Sequence, residues 1–262
     1  MSNIDNIRVL LRNNTDPRRL EEVKRLWPEL GKKLESLLGI QETPTPGPAP
    51  TLRDDVGKQV LDFSAGLPNP DVIKKEGYVG VIHYVSDKRA NWMIAKPVSR
   101  NYVTALKDRG LTNVSNFQFG KGDTSDWRTG FENGVKCAKK AQELHLAAGG
   151  PEFAVIYASI DDNPTQWEYD NLIRPYLLGW ESVVGHYRLG VYGNYQTINW
   201  CVQDKLGEYF WQHGWGSPKD SSGNQIIHPY ANVIQTRIDK DKVDNVGVDI
   251  NIVLKRNYGQ WE

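Results

Sequence analysis

The chain has 262 residues, with 32 basic and 32 acidic side chains and a formal net charge of zero. That length suits one large domain or two small ones with a full hydrophobic core. The charge balance speaks against a nucleic-acid binder, whose footprint is usually basic, and no run approaches the roughly 18 apolar residues of a membrane span. The opening Met1-Ser2-Asn3-Ile4-Asp5-Asn6 has no basic stretch followed by an apolar run, so no signal peptide is expected. Cys137 and Cys201 are too few for a disulfide framework and read as small buried hydrophobes. Nine tryptophans and twelve tyrosines stand against two methionines. Such an aromatic excess serves either a core or a site that stacks flat ligands such as sugar rings.

The first predicted element is helical. Leu20, Val23, Leu26 or Trp27, Leu30, Leu34 and Leu37 recur at helical spacing after Asp16-Pro17, a cap followed by proline at the first helical position. Pro28 kinks or splits it. An isolated amphipathic segment cannot bury its own stripe, so residues 1–41 must pack on the main domain, self-associate as a homo-oligomer or dock on a partner such as virion proteins, and the proline spacer that follows favours docking or oligomerisation. Thr43 to Pro50 carries proline at every second position, which forbids helix and sets an extended spacer over 42–55.

From residue 56 to 262, short apolar runs alternate with helical stretches. Strands are expected at Val60–Ser64, Gly80–Val85, Val114–Phe119, Phe153–Ile160, Leu189–Tyr192, Tyr209–Gln212, Val233–Gln235 and Val246–Val253. Helices are expected from Asn69-Pro70, over 99–109, 125–147, after Pro164 and over 195–206. The helices after strands six and seven look degraded or absent, and a short helix ends the chain. This alternation implies parallel strands with crossover helices. The fold class is α/β, a (β/α)8 TIM-like barrel with a short N-terminal helical appendage; an open doubly wound sheet is the alternative.

In such a barrel the site lies at the C-terminal ends of the strands. Asp62, Asp161 and Asp249 fall there, and a buried unpaired carboxylate is costly enough to need a reason. They are the candidate catalytic acids. His83, Tyr84, Gln118, Tyr192, Trp211, Gln212, Trp215 and Gln235 fall at the same ends and are the candidate substrate-binding residues. Tryptophan beside carboxylates suits a sugar cleft, with ring faces on the sugar and acids at the glycosidic oxygen. The five histidines show no paired metal-ligand spacing, so no metal and no cofactor are expected. Asp239 to Asp244 begins like a calcium loop but has Val243 and no glycine at the turn.

Leu61-Asp62-Phe63-Ser64, Ile156 to Asp161, Gly190-Val191-Tyr192-Gly193, Trp211-Gln212, Gly247-Val248-Asp249-Ile250-Asn251 and Tyr258-Gly259-Gln260-Trp261 occur in this order. The set resembles the glycoside-hydrolase-like TIM-barrel domain of actinobacterial and phage proteins, a distant relative of the muramidase-type lysozymes of glycoside hydrolase family 25. The resemblance covers about 56–262. It implies a cell-wall glycan, peptidoglycan or arabinogalactan, as the substrate class. It also implies a second acid two residues after Asp161, where this chain has Asn163, and a glutamate near the end of strand three, where it has Gln118. An amide donates no acidic proton. Asn163 therefore joins the binding candidates, and the expectation divides between a working O-glycosyl hydrolase and an inactive glycan-binding or structural protein. A docking segment, a wall-directed barrel and no signal peptide together suggest a phage tail or lytic component, in the virion or delivered to the host wall. A cytoplasmic protein is the alternative.

Overall fold

The computed structural model describes residues 53–262. The helix expected within 1–41 and most of the spacer expected over 42–55 lie outside the described residues. The described chain forms a closed eight-stranded barrel in sequential order: β1 (Gln59–Asp62), β2 (Gly80–Tyr84), β3 (Thr112–Phe117), β4 (Ile156–Ser159), β5 (Leu189–Gly193), β6 (Tyr209–Gln212), β7 (Val233–Val243) and β8 (Val246–Val253). Five helices cross between consecutive strands: α1 (Pro70–Lys75), α2 (Arg100–Lys107), α3 (Phe131–Ala147), α4 (Arg174–Val184) and α5 (Tyr195–Asp204). Short polar side chains start three of them. Asn69, Ser99 and Asn194 each accept a backbone N–H of the first turn, which satisfies a donor the helix leaves open.

The alternation departs from a regular (β/α)8 pattern at its end. β1 to β7 are parallel, but β8 runs antiparallel to both β7 and β1. This corrects the expectation of eight parallel strands. The cause is local. Asp244 and Asn245 both adopt positive φ, 49° and 63°, the geometry of a two-residue hairpin turn. A turn that short returns the chain antiparallel, whereas a parallel strand needs a crossover. β7 is also longer than expected, and the short terminal helix is absent. The chain end instead pairs Trp261 with Asn113 on β3.

Two apolar layers result. One consists of strand and strand-flanking residues together with Tyr258 of the C-terminal segment, among them Val60, Ile82, Val114, Tyr157, Tyr192, Trp211, Val233 and Val253, and fills the barrel. The other joins Leu61, Val81, Ile156, Val191 and Phe210 to helix residues such as Leu106, Ala138, Leu177 and Trp180. α3 and α4 pack at backbone contact. A Cβ on Gly134 would sit 2.0 Å from the Tyr176 carbonyl oxygen, and one on Gly179 would sit 2.3 Å from that of Phe131. No helix among the described residues is long and apolar enough to cross a membrane.

Successive strand residues point to opposite faces. Tyr84 therefore faces the barrel interior and His83 the helix layer. His83 sits edge-on to Trp261, with ring centroids 5.4 Å apart, and neither ring nitrogen has a hydrogen-bond partner. It is not at the mouth, which corrects its reading as a ligand-binding residue. Burial first, and then the neighbouring His145, push its pKa down to about 3. The unfolded chain takes up this proton near pH 6.5 and the folded chain does not, so stability present at neutral pH drains away as pH falls below 6.5. At pH 5 the loss from this group is about 2 kcal/mol, or roughly 4–8 °C in Tm. His83→Phe is expected to recover most of that difference in thermal unfolding at pH 7.5 and 5.0. An equal acid loss in the variant would remove His83 as its source.

Candidate functional site

Three adjacent strands, β7, β8 and β1, build the acidic centre. Asp62 lies directly opposite Asp249 across the β1–β8 seam, and Gln235 lies opposite Asn251 across β7–β8. Opposed residues of an antiparallel pair have Cα atoms about 4.5–5.5 Å apart, so the two carboxylates meet by register. The Gln235 amide nitrogen donates to Asp62 Oδ2 and to Asp249 Oδ2, at 3.2 Å each. Asn251 Nδ2 donates to Asp62 Oδ2 at 2.7 Å.

Each amide is held in place from behind. The Trp211 indole N–H donates to Asn251 Oδ1 at 2.7 Å, and the Tyr192 hydroxyl donates to Gln235 Oε1 at 2.7 Å. Indole only donates, so Asn251 must turn its oxygen to Trp211 and its nitrogen to Asp62. Trp211 is itself 1% exposed, with its ring centroid 4.2 Å from that of Tyr192. It is not a stacking platform for ligand, which corrects that expectation. It acts through Asn251. Gln212, on the opposite face of β6, is fully buried and also serves structure. It donates to the Ile226 carbonyl and accepts the His228 N–H, pinning the loop before β7. Trp215, on that loop, is 56% exposed.

Electrostatics follow from the geometry. Asp62 is 2% exposed. Burial, then the negative charge of Asp249, push its pKa up to about 7 against the opposing hydrogen bonds from Asn251 and Gln235. Asp249 is pushed up to about 6, chiefly by burial, with the charges of Asp239 and Asp161 adding to it. The Asp239 backbone N–H, donating to Asp249 Oδ1 at 2.8 Å, works the other way. The two carboxylates meet one amide nitrogen, and burial with nearby negative charge favours the protonated form of each.

Asp161 follows β4 at the same mouth. Gln118 Nε2 donates to its Oδ2 at 3.0 Å, and Lys121 Nζ pairs with the same oxygen at 3.0 Å. Asp162 turns away, accepting Ser125 Oγ at 2.5 Å and the Trp127 indole N–H at 3.0 Å. Asn163 accepts from Asn194 at 2.9 Å beside Gly216, where a Cβ would come within 2.0 Å of its Oδ1. It ties the loops after β4, β5 and β6 together at the rim. The Tyr84 hydroxyl lies 3.5 Å from Asp62 Oδ1.

A family model described as an Rv2525c-like, glycoside hydrolase-like domain matches residues 71–253. A Mycobacterium tuberculosis relative, Rv2525c, named as a candidate peptidoglycan hydrolase, is 52% identical over 204 residues, covering 77% of this chain and 83% of the relative. The chain belongs to the Rv2525c-like glycoside hydrolase-like family. The crystal structure of the Tat-secreted protein Rv2525c with L-tartrate matches with a TM-score of 0.76 at 50% identity, over 79% of this chain and 100% of that one. The modular autolysin LytC of Streptococcus pneumoniae matches with a TM-score of 0.52 at 14% identity, over 74% of this chain and 46% of LytC. That is a likeness of fold alone.

In this family member the structure brings together Asp62, Asp249, Gln235, Tyr192 and Tyr84, with Asp161 and Gln118 on the adjoining loops. Sequence reasoning left out Asn251, Lys96, Lys121 and Asp239, while the chain order after strand six does place the buried His213 at this end. His213 has its ring centroid 5.0 Å from that of Tyr192. Asn251 had a legible signal, since it lies two residues after Asp249 and so shares its face of the strand. Lys96 and Lys121 come from loops and had none, and Asp239 lies within β7, where the chain shows only an incomplete calcium-loop pattern.

The raised Asp62 pKa has a measurable sign. The folded chain keeps this proton up to about pH 7, the unfolded chain only to 3.8, so Asp62 subtracts stability as pH climbs through that window. Asp62→Asn removes the subtraction while leaving oxygen and nitrogen in the same places. Relative to the wild type, its Tm is expected to rise between pH 5 and pH 8, by about 2–4 °C per kcal/mol. A Tm difference constant with pH would show that Asp62 is ionised throughout.

Proposed function

We propose that the barrel mouth binds cell-wall glycan and that the Asp62–Asp249 pair acts on its glycosidic bond. The bridged pair carries this reading. One amide nitrogen joins two carboxylates, one of which stays protonated near neutral pH. A neutral carboxyl donates its proton to the leaving oxygen, while a charged partner stabilises the oxocarbenium-like transition state or activates water. Asp62 is assigned as the acid. Asp249 is assigned as the charged partner, with Asp161 adding negative charge beside it. Trp215 offers a ring face to the sugar at the rim. The naming of the Mycobacterium tuberculosis relative as a candidate peptidoglycan hydrolase supports the substrate class. Its description as Tat-secreted supports a location on the wall side of the membrane.

A second reading is binding without cleavage. It is favoured by Asp161, which is occupied by Gln118 and Lys121, and by Asn163, which serves the loops. Delivery as a phage tail or lytic component is a narrower proposal that rests on residues 1–41 as a docking segment. Incorporation of full-length and 1–41-deleted chains into particles tests it.

Purified peptidoglycan and arabinogalactan separate the two main readings. The wild type is expected to bind the wall and release reducing ends. Asp62→Asn should keep binding and lose about 10²–10⁴-fold in rate. Trp215→Ala should weaken binding. Binding without any released ends would establish the second reading, and failure to bind either polymer would overturn both.

A further inference from the structure

Lys96 lies on the loop between β2 and α2, next to the acids, yet is only 7% exposed. A buried ammonium costs several kcal/mol unless it is paired. Its two close neighbours carry no formal charge. Nζ donates to the Gln118 carbonyl at 3.0 Å and sits 3.8 Å from the centroid of the Tyr84 ring. Both neighbours lead to acids. Gln118 gives its side-chain amide to Asp161, and its carbonyl also accepts Ser86 Oγ at 2.8 Å, so its backbone is held by two donors. Tyr84 presents its hydroxyl to Asp62.

We infer that Lys96 is a positioning residue for the mouth: its ammonium clamps Gln118 onto Asp161 and Tyr84 toward Asp62, and its positive charge favours the ionised form of Asp62. A purely apolar pocket would fill this space without the desolvation cost. A cation on a ring face, one side chain from each acid, instead couples them to a single charge. The groups facing Lys96 are Asp62 on β1, Tyr84 on β2, Asp161 after β4, Asp126 in the turn before α3, and Arg89 on its own loop. The three carboxylates favour the ammonium and Arg89 opposes it. Burial outweighs them and brings the Lys96 pKa down to about 8, so its charge can be switched off under mild conditions without mutation.

Calling it a positioning residue rests on Asp62 and Asp161 being the working acids. The test needs no substrate. In the isotope-labelled full-length wild type, the carboxyl 13C signals of Asp62 and Asp161 and the Lys96 side-chain nitrogen signal are followed from pH 5 to pH 10. Asp62→Asn and Asp161→Asn assign the carboxyl signals. Both carboxyl signals are expected to show an inflection at the Lys96 midpoint. Lys96→Met should abolish it and raise the Asp62 midpoint by about 0.5 unit or more. Flat carboxyl signals across the Lys96 titration in the wild type would overturn the inference, even if Lys96→Met does not fold. An inflection in a protein that neither binds nor cleaves wall glycan would keep the coupling and refute the functional reading instead.

Discussion

The side-chain nitrogen of Gln235 touches two carboxylates at once, and the rest of the mouth is arranged around that contact. Asp62 and Asp249 come from strands that close the barrel, so the contact exists only because β8 runs antiparallel between β7 and β1. A parallel β8 would need a crossover in place of the two-residue turn at Asp244-Asn245. It would also change which residues of β8 stand opposite Asp62. The local chemistry of one hairpin turn thus sets the relation between the two acids.

Holding two acids in a buried place is expensive, and the surroundings show how the expense is met. Asn251 and Gln235 donate to the carboxylates, and Trp211 and Tyr192 donate to those amides in turn. The aromatic excess is spent largely here and in the two apolar layers. Trp127, Trp180 and Trp211 are fully buried, Trp200 and Trp261 nearly so, while Trp92, Trp167 and Trp215 are exposed. Trp211 shows how an aromatic side chain serves a site without touching ligand, since its indole N–H orients the amide that orients the acid.

Asp161 follows a different logic. It is partly exposed and carries a lysine and an amide on one oxygen, whereas Asp62 and Asp249 meet on a single amide nitrogen. One mouth therefore holds a charge-paired acid and an amide-bridged pair. Lys96 is the element that addresses both sides, because its two uncharged neighbours each reach one of them.

The order of strands, the helices between the first six, the missing crossovers near the end and the location of Asp62, Asp161 and Asp249 at one mouth were all legible in the chain. They depend on local periodicity, capping residues and strand ends, which are properties of consecutive residues. The outward face of His83, the buried roles of Trp211 and Gln212 and the antiparallel β8 were not. The first three needed the register that decides which alternate residues point inward, and the last needed the positive-φ turn to be recognised in Asp244-Asn245. Tertiary structure alone decided that Gln235 bridges Asp62, 173 positions away, and that Lys96 reaches the Gln118 carbonyl. Such contacts arise from barrel closure and loop packing, where residues far apart in the chain compete for the same few ångströms, and no local pattern encodes which of them wins.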